Sequence, residues 1–249
     1  MRLLKTNYIH VKYFKKVYRF SGILLPCVLF LFKTTTAQVT VNTWLTTGDK
    51  TKLLQKQANV SFSVDSGTNP TTIVVDENTT YQTMDGFGFT FSEGSAEVIN
   101  SLNPTQENAL LNELFNPSTG SGFSVVRISI GASDLSSSVY TYDQTSGDLT
   151  LNNFSLAGPD LNQLIPLLKK ILIINPTIKF LATPWTAPTW MKTNQGWVGG
   201  SLDPTYYATY AAYFLKYLDA MKAQCISIWA ITPQNEPENA NNTPSMLMT

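Results

Sequence analysis

Histidine is almost missing from this sequence: His10 is the only one, and none follows it. Ser-His and Cys-His nucleophile pairs and histidine-built zinc sites are thereby excluded from the body of the chain. Cysteine is nearly as scarce. Cys27 falls in the first 37 residues, which leaves Cys225 alone. No intrachain disulfide is then possible, and Cys225, in an apolar approach to a strand, reads as a buried thiol. Acids are absent from residues 1–37, where seven of the 17 basic residues fall: Arg2, Lys5, Lys12, Lys15, Lys16, Arg19 and Lys33. From Gln38 onward 17 acids face ten bases, and an acidic body argues against a nucleic-acid partner. Long apolar runs are lacking too. The core at 20–32 has 13 residues, too short to cross a bilayer comfortably. With basic residues before it and Thr35-Thr36-Ala37 after it, 1–37 reads as a secretory signal peptide, and the protein as secreted. A membrane anchor is the alternative. Any acid–base chemistry falls to carboxylates.

What is present organises itself around Ile226-Ser227-Ile228-Trp229-Ala230-Ile231-Thr232-Pro233-Gln234-Asn235-Glu236-Pro237. Six mostly apolar, β-prone residues predict a strand buried on both faces, as in a parallel sheet. Pro233 cannot donate to a ladder and ends it. An amide and a carboxylate follow at once, where parallel-strand barrels place their chemistry. A carboxylate held there is a competent general acid when burial raises its pKa.

Earlier in the chain, 38–80 carries short alternating runs such as Val60-Ser61-Phe62-Ser63-Val64 and Thr72-Ile73-Val74-Val75, which predict strands of a side β-sheet. Residues 81–91 hold alternating glycines that suit a first barrel strand closely approached by its neighbour. The third glycine of a dinucleotide loop is missing. Residues 92–102 predict a helix, and a second follows with Asn103 as N-cap, Pro104 at its first position and Gln106 completing a capping box. Residues 124–130 predict a second strand and 179–182 a third. Between them, 160–175 predicts a helix in which Pro166 implies a kink or a later start. Asp203 and Pro204 open a last helix whose buried stripe reads as Tyr207, Ala211, Phe214, Leu218 and Met221. Strand and helix alternate throughout, which predicts an α/β fold with a parallel sheet: a (β/α)8 TIM barrel with only about its first four units present. The domains read as 1–37 leader, 38–80 side strands and 81–249 half barrel. Thr249 would cap the next helix, and the chain reads as a fragment.

Asp85-Gly86-Phe87-Gly88, Val126-Arg127-Ile128, Ala132-Ser133-Asp134, Thr183-Pro184-Trp185-Thr186-Ala187-Pro188-Thr189-Trp190-Met191-Lys192 and Thr232-Pro233-Gln234-Asn235-Glu236-Pro237 together resemble glycoside hydrolase family 30, the group of glucosylceramidases and β-1,6-glucanases. Asn-Glu-Pro recurs across many barrel glycosidases, whereas the Thr-Pro-Trp run is far more specific. The resemblance implies a retaining β-glycoside hydrolase acting on a β-glucoside, glucosylceramide or β-glucan, with no cofactor or metal and no stable protein partner. It makes Glu236 the acid/base, sets Asn235 on the sugar 2-hydroxyl, and gives Asp134 and Trp185 the non-reducing sugar. Arg127 should point at a carboxylate, which in this family is the nucleophile; pairing with Asp85 is the alternative.

A retaining mechanism needs a second carboxylate about 5 Å from the first. The family carries it on a seventh strand, and Glu238 does not match that position. The fragment alone is therefore expected to be inactive. Two other readings stand beside the enzyme: a non-catalytic carbohydrate-binding protein and an inert truncated remnant. Trp190, Trp197, Tyr140 and Tyr142 either shape the aglycone side or pack a lid. Asn59, Asn78, Asn153 and Asn241 lie in glycosylation sequons.

Overall fold

The computed structural model describes residues 40–63, 67, 73–74 and 76–248. The leader, Val64, Thr72, Val75 and Thr249 lie outside the described residues. A first unit runs to Thr79 and a second starts at Thr80.

The first unit contains β1 (Thr40–Val41), β2 (Trp44–Leu45), β3 (Gln55–Lys56) and β4 (Val60–Ser61). β1 pairs with β4 and β2 with β3, both antiparallel. These ladders are shorter than the alternation of residue types suggests, and Ile73 and Val74 belong to no strand. A period of two marks which face a strand would bury, but a strand exists only where a partner backbone takes up its hydrogen bonds.

In the second unit β5 (Gly88–Thr90), β6 (Val125–Ile130), β7 (Lys179–Pro184) and β8 (Ile228–Ile231) form one parallel sheet in that order. Helices α1 (Glu93–Asn100) and α2 (Pro104–Phe115) join β5 to β6, α3 (Ile165–Ile174) joins β6 to β7, and α4 (Tyr207–Ala223) joins β7 to β8. The predicted Asn103 cap is present, and Ser92 caps α1. Ser92 accepts from the Ser95 backbone N–H, and Asn103 accepts from that of Gln106 at 3.0 Å. The Gln106 side chain accepts from the Asn103 amide rather than from its backbone. Gly88 is required by proximity: a Cβ there would lie 1.5 Å from the Val125 carbonyl oxygen, so only glycine lets β5 meet β6.

The core lies between the sheet and its helices. Val126, Ile128, Ile130, Phe180 and Ala182 point from β6 and β7 onto Leu111, Phe115, Leu168 and Ile171. Each large apolar side chain buried here contributes about 1.5–3 kcal/mol. Pro166 shapes α3 as expected, with one refinement. Its missing N–H removes a bond to the preceding turn; residues Asp160–Leu164 widen into a π turn and α3 begins at Ile165.

Three expectations are corrected. The buried stripe of α4 is Tyr210, Tyr213, Tyr217 and Met221, while Tyr207 is 58% exposed and Ala211 is exposed. Aromatic and apolar residues surround most of this helix, so the pattern alone does not choose a face. Stacking of Tyr213 and Tyr217 on Tyr142 does. Cys225 is exposed, because the chain leaves α4 there in a left-handed turn (φ 63°) and buries Ile226 instead. β8 is not buried on both faces: Trp229 and Ile231 are 48% and 39% exposed. Among the described residues β8 pairs with β7 alone, so no strand lies along its other edge.

Candidate active site

Arg127 sits where an arginine is costly, at the middle of the largely apolar strand β6, on the face turned away from the helices. Its guanidinium is half-buried. It stacks over the Trp185 ring, 4.8 Å from the centroid, and donates from Nη2 to Asn235 Oδ1 at 2.7 Å. Burial pulls its pKa below the ordinary arginine value, and the negative charges of Asp134 and then Glu236 oppose that shift. Residues following β6, β7 and β8 thus converge on a side chain from β6, at the carboxyl ends of adjacent parallel strands.

The parallel register explains the convergence. Ile130 is level with Pro184, so the chain segments leaving β6 and β7 emerge side by side. Pro184 then accepts a hydrogen bond from the Asn235 backbone N–H at 2.8 Å, which ties the loop after β8 to the end of β7. With Oδ1 of Asn235 occupied by Arg127, its Nδ2 is the end left to face a ligand. Arg127 was expected to point at a carboxylate or to pair with Asp85. Among the described residues its hydrogen bond goes to the Asn235 amide; Asp85 does not pair with it and forms an ion pair with Lys179 at 2.8 Å. Asn235 occupies that contact because the Pro184 bond holds its backbone within reach.

Trp185 is 5% exposed, and among the described residues its indole N–H has no hydrogen-bond partner. A buried N–H without a partner is costly. Glu236 is exposed rather than buried, at a left-handed backbone (φ 43°) that costs a non-glycine residue about 1–3 kcal/mol. Its Oε2 accepts from the amides of Asn239 at 2.8 Å and Asn242 at 2.5 Å. Asp134 is exposed in the turn after β6. Among the described residues no group of three or more His, Cys, Asp or Glu is gathered as if around a metal ion.

Residues 84–248 match the model of the glycosyl hydrolase family 30 TIM-barrel domain. The chain belongs to this family. It is 40% identical over 166 residues to an endo-1,6-β-D-glucanase of Neurospora crassa, covering 64% of this chain and 34% of that protein. It is 36% identical over 163 residues to the lysosomal acid glucosylceramidase of Mus musculus, covering 63% and 32%. A solved endo-β1,6-glucanase superposes with a TM-score of 0.71 and 41% identity, over 82% of this chain and 44% of that one. The chain thus spans about a third of the length of the curated relatives it matches, and its four-stranded parallel sheet is part of the family 30 barrel.

Several side chains around this candidate site are not evident from the sequence. Gln234 is buried and donates from Nε2 to the carbonyls of Trp185 at 2.7 Å and Asn235 at 3.0 Å, clamping the two motifs together. Its position beside Asn235 was the only signal. Asn239 and Asn242, which hold Glu236, stand in a run noticed only for its sequon. Three of the four aromatic residues left open have structural partners. Trp190 is buried with its N–H on the Asp143 carbonyl, and Tyr140 and Tyr142 both donate to Asp160, so these three pack the structure.

Proposed function

We propose that the protein carrying this chain is a retaining β-glycoside hydrolase. Arg127 carries this reading: one guanidinium stacks on Trp185, hydrogen-bonds Asn235 and lies in the field of Asp134 and Glu236. Four groups suited to a sugar and its leaving oxygen are thereby held around one fixed point. Glu236 protonates the departing glycosidic oxygen and later deprotonates the water that releases the sugar. The Asn235 amide, oriented by Arg127, donates to the 2-hydroxyl. Asp134 accepts from hydroxyls of the non-reducing sugar, and Trp185 supplies an apolar wall. The nucleophile belongs on a further strand of the barrel, so the chain by itself does not turn over substrate.

The substrate is a β-glucoside, glucosylceramide or β-glucan; curated relatives carry the names glucosylceramidase and endo-1,6-β-D-glucanase. Glu236→Gln in the complete protein tests the mechanism: turnover falls about 10²- to 10⁴-fold with sugar binding kept. Unchanged turnover removes the acid/base assignment. A second reading applies to the chain alone, which holds the sugar-binding groups without the nucleophile and so binds carbohydrate without cleaving it. Secretion is part of the proposal, resting on the order of residues in 1–37. N-terminal sequencing of the exported protein should begin near Gln38, and a start at Met1 would discard it.

A further inference from the structure

Lys192 ends the Thr-Pro-Trp motif yet has no place in the chemistry above. It is only 2% exposed, and among the described residues no carboxylate lies within ion-pair reach of it. A buried ammonium without a counter-charge costs several kcal/mol, and burial lowers its pKa to about 8. Its hydrogen bonds show what it holds. Nζ donates to the Gly196 carbonyl at 2.6 Å and to the Ser245 carbonyl at 2.7 Å. The first carbonyl lies in the loop after β7, the second in the segment after β8.

Ser245 is the peg of that second segment. Its backbone N–H donates to the Trp197 carbonyl at 2.9 Å, and its hydroxyl accepts from the Gly199 N–H at 2.9 Å and donates to the Ala240 carbonyl at 3.1 Å. The stretch between Glu236 and Ser245 contains Asn239 and Asn242, whose amides hold Oε2 of Glu236. Glu236 is exposed, and among the described residues those amides are the hydrogen-bond partners of its carboxylate. The pose of the carboxylate therefore depends on where the 237–245 segment is anchored. Lys192 and Ser245 anchor it to the β7 loop.

We propose that Lys192 is a positioning residue for Glu236, acting through Ser245 and the Asn239–Asn242 turn without touching substrate. The proposal rests on the reading of Glu236 as acid/base. Charge-assisted bonds to carbonyls are about twice as strong as neutral ones, which gives a reason for a lysine where a neutral side chain would also fill the space.

The test uses Lys192→Met and Ser245→Ala in the complete enzyme, each compared on two β-glucosides. An alkyl glucoside needs its leaving oxygen protonated; a dinitrophenyl glucoside does not. Displacing the acid should lower kcat/KM on the alkyl substrate about tenfold or more and leave the dinitrophenyl substrate nearly unchanged. In a Glu236→Gln background Lys192→Met should add nothing further on the alkyl substrate. Equal losses on both substrates, or no loss on either, would overturn the proposal. Melting curves report folding separately, and where Lys192→Met does not fold, the same split read on Ser245→Ala decides. An alkyl-glucosidase rate unaffected by Glu236→Gln alone would remove the acid/base reading itself, and the lysine proposal with it.

Discussion

Asp160 is the most strongly perturbed carboxylate of the second unit, and it lies outside the candidate site. It is buried in the π turn before α3 and accepts from the hydroxyls of Tyr140 at 2.8 Å and Tyr142 at 2.6 Å. Burial pushes its pKa up to about 7; the two tyrosine hydroxyls oppose the shift and the charge of Glu93 adds to it. Glu93, buried at the start of α1, is raised for the same first reason. The sign follows from proton counting. Between about pH 4, where an unfolded aspartate titrates, and pH 7, the folded state keeps a proton that the unfolded state has released. Stability is therefore greatest below that window and falls as pH rises through it. Melting temperatures of wild type and Asp160→Asn, measured from pH 4 to 8, should show a smaller decline in the variant; equal slopes would assign the pH dependence elsewhere. Tyr140 and Tyr142 were legible as aromatic residues of a loop or lid, but nothing in the order of the residues says that both converge on one aspartate 20 and 18 positions further along the chain.

At the scale of the elements, the clearest constraint is the contact of β5 with β6. Phe87 contributes its carbonyl to the Ser124 and Val125 N–H groups, and the Ser124 hydroxyl accepts from the Phe87 N–H. Gly88 stands where any Cβ would overlap the Val125 carbonyl. Gly88→Ala should cost more than about 3 kcal/mol, beyond the range of ordinary substitutions, and urea denaturation would show it. A loss below about 1 kcal/mol would mean the strands separate without penalty. Elements of this kind were readable because capping residues, proline positions and strand-end prolines act locally. The face of α4 was not readable. Tyr213 is buried because its hydroxyl accepts from the Tyr142 backbone N–H at 2.9 Å and its ring stacks on Tyr142, contacts that exist only once the loop after β6 has folded over the helix.

For the whole second unit, the open flank beside β8 is the dominant feature. A groove of about 510 Å³ runs between α4 and the end of β8, lined by Tyr207, Phe214, Ile231 and Leu247 among others. Beside it, among the described residues, the β8 backbone has a strand partner on one side only, and Trp229 and Ile231 are exposed. Unpaired strand edges with apolar side chains promote association. Expressed alone, the 249-residue chain should self-associate in sedimentation experiments, and Ile231→Lys should shift it toward monomer. A wild-type chain that stays monomeric at high concentration would show that this edge is not adhesive.

By itself the sequence determined the alternation of strand and helix, their order, and the family motifs at the strand ends, because these depend on residue types at short spacing. Asn235 next to Glu236, and Trp185 within its proline-rich run, are legible in the same way. Only the tertiary structure decided what those residues touch. Arg127 meets Asn235 across 108 positions and stacks on Trp185 across 58; Lys192 reaches Ser245 across 53. The parallel register brings such residues together, and register is a property of paired strands that no single stretch of sequence contains.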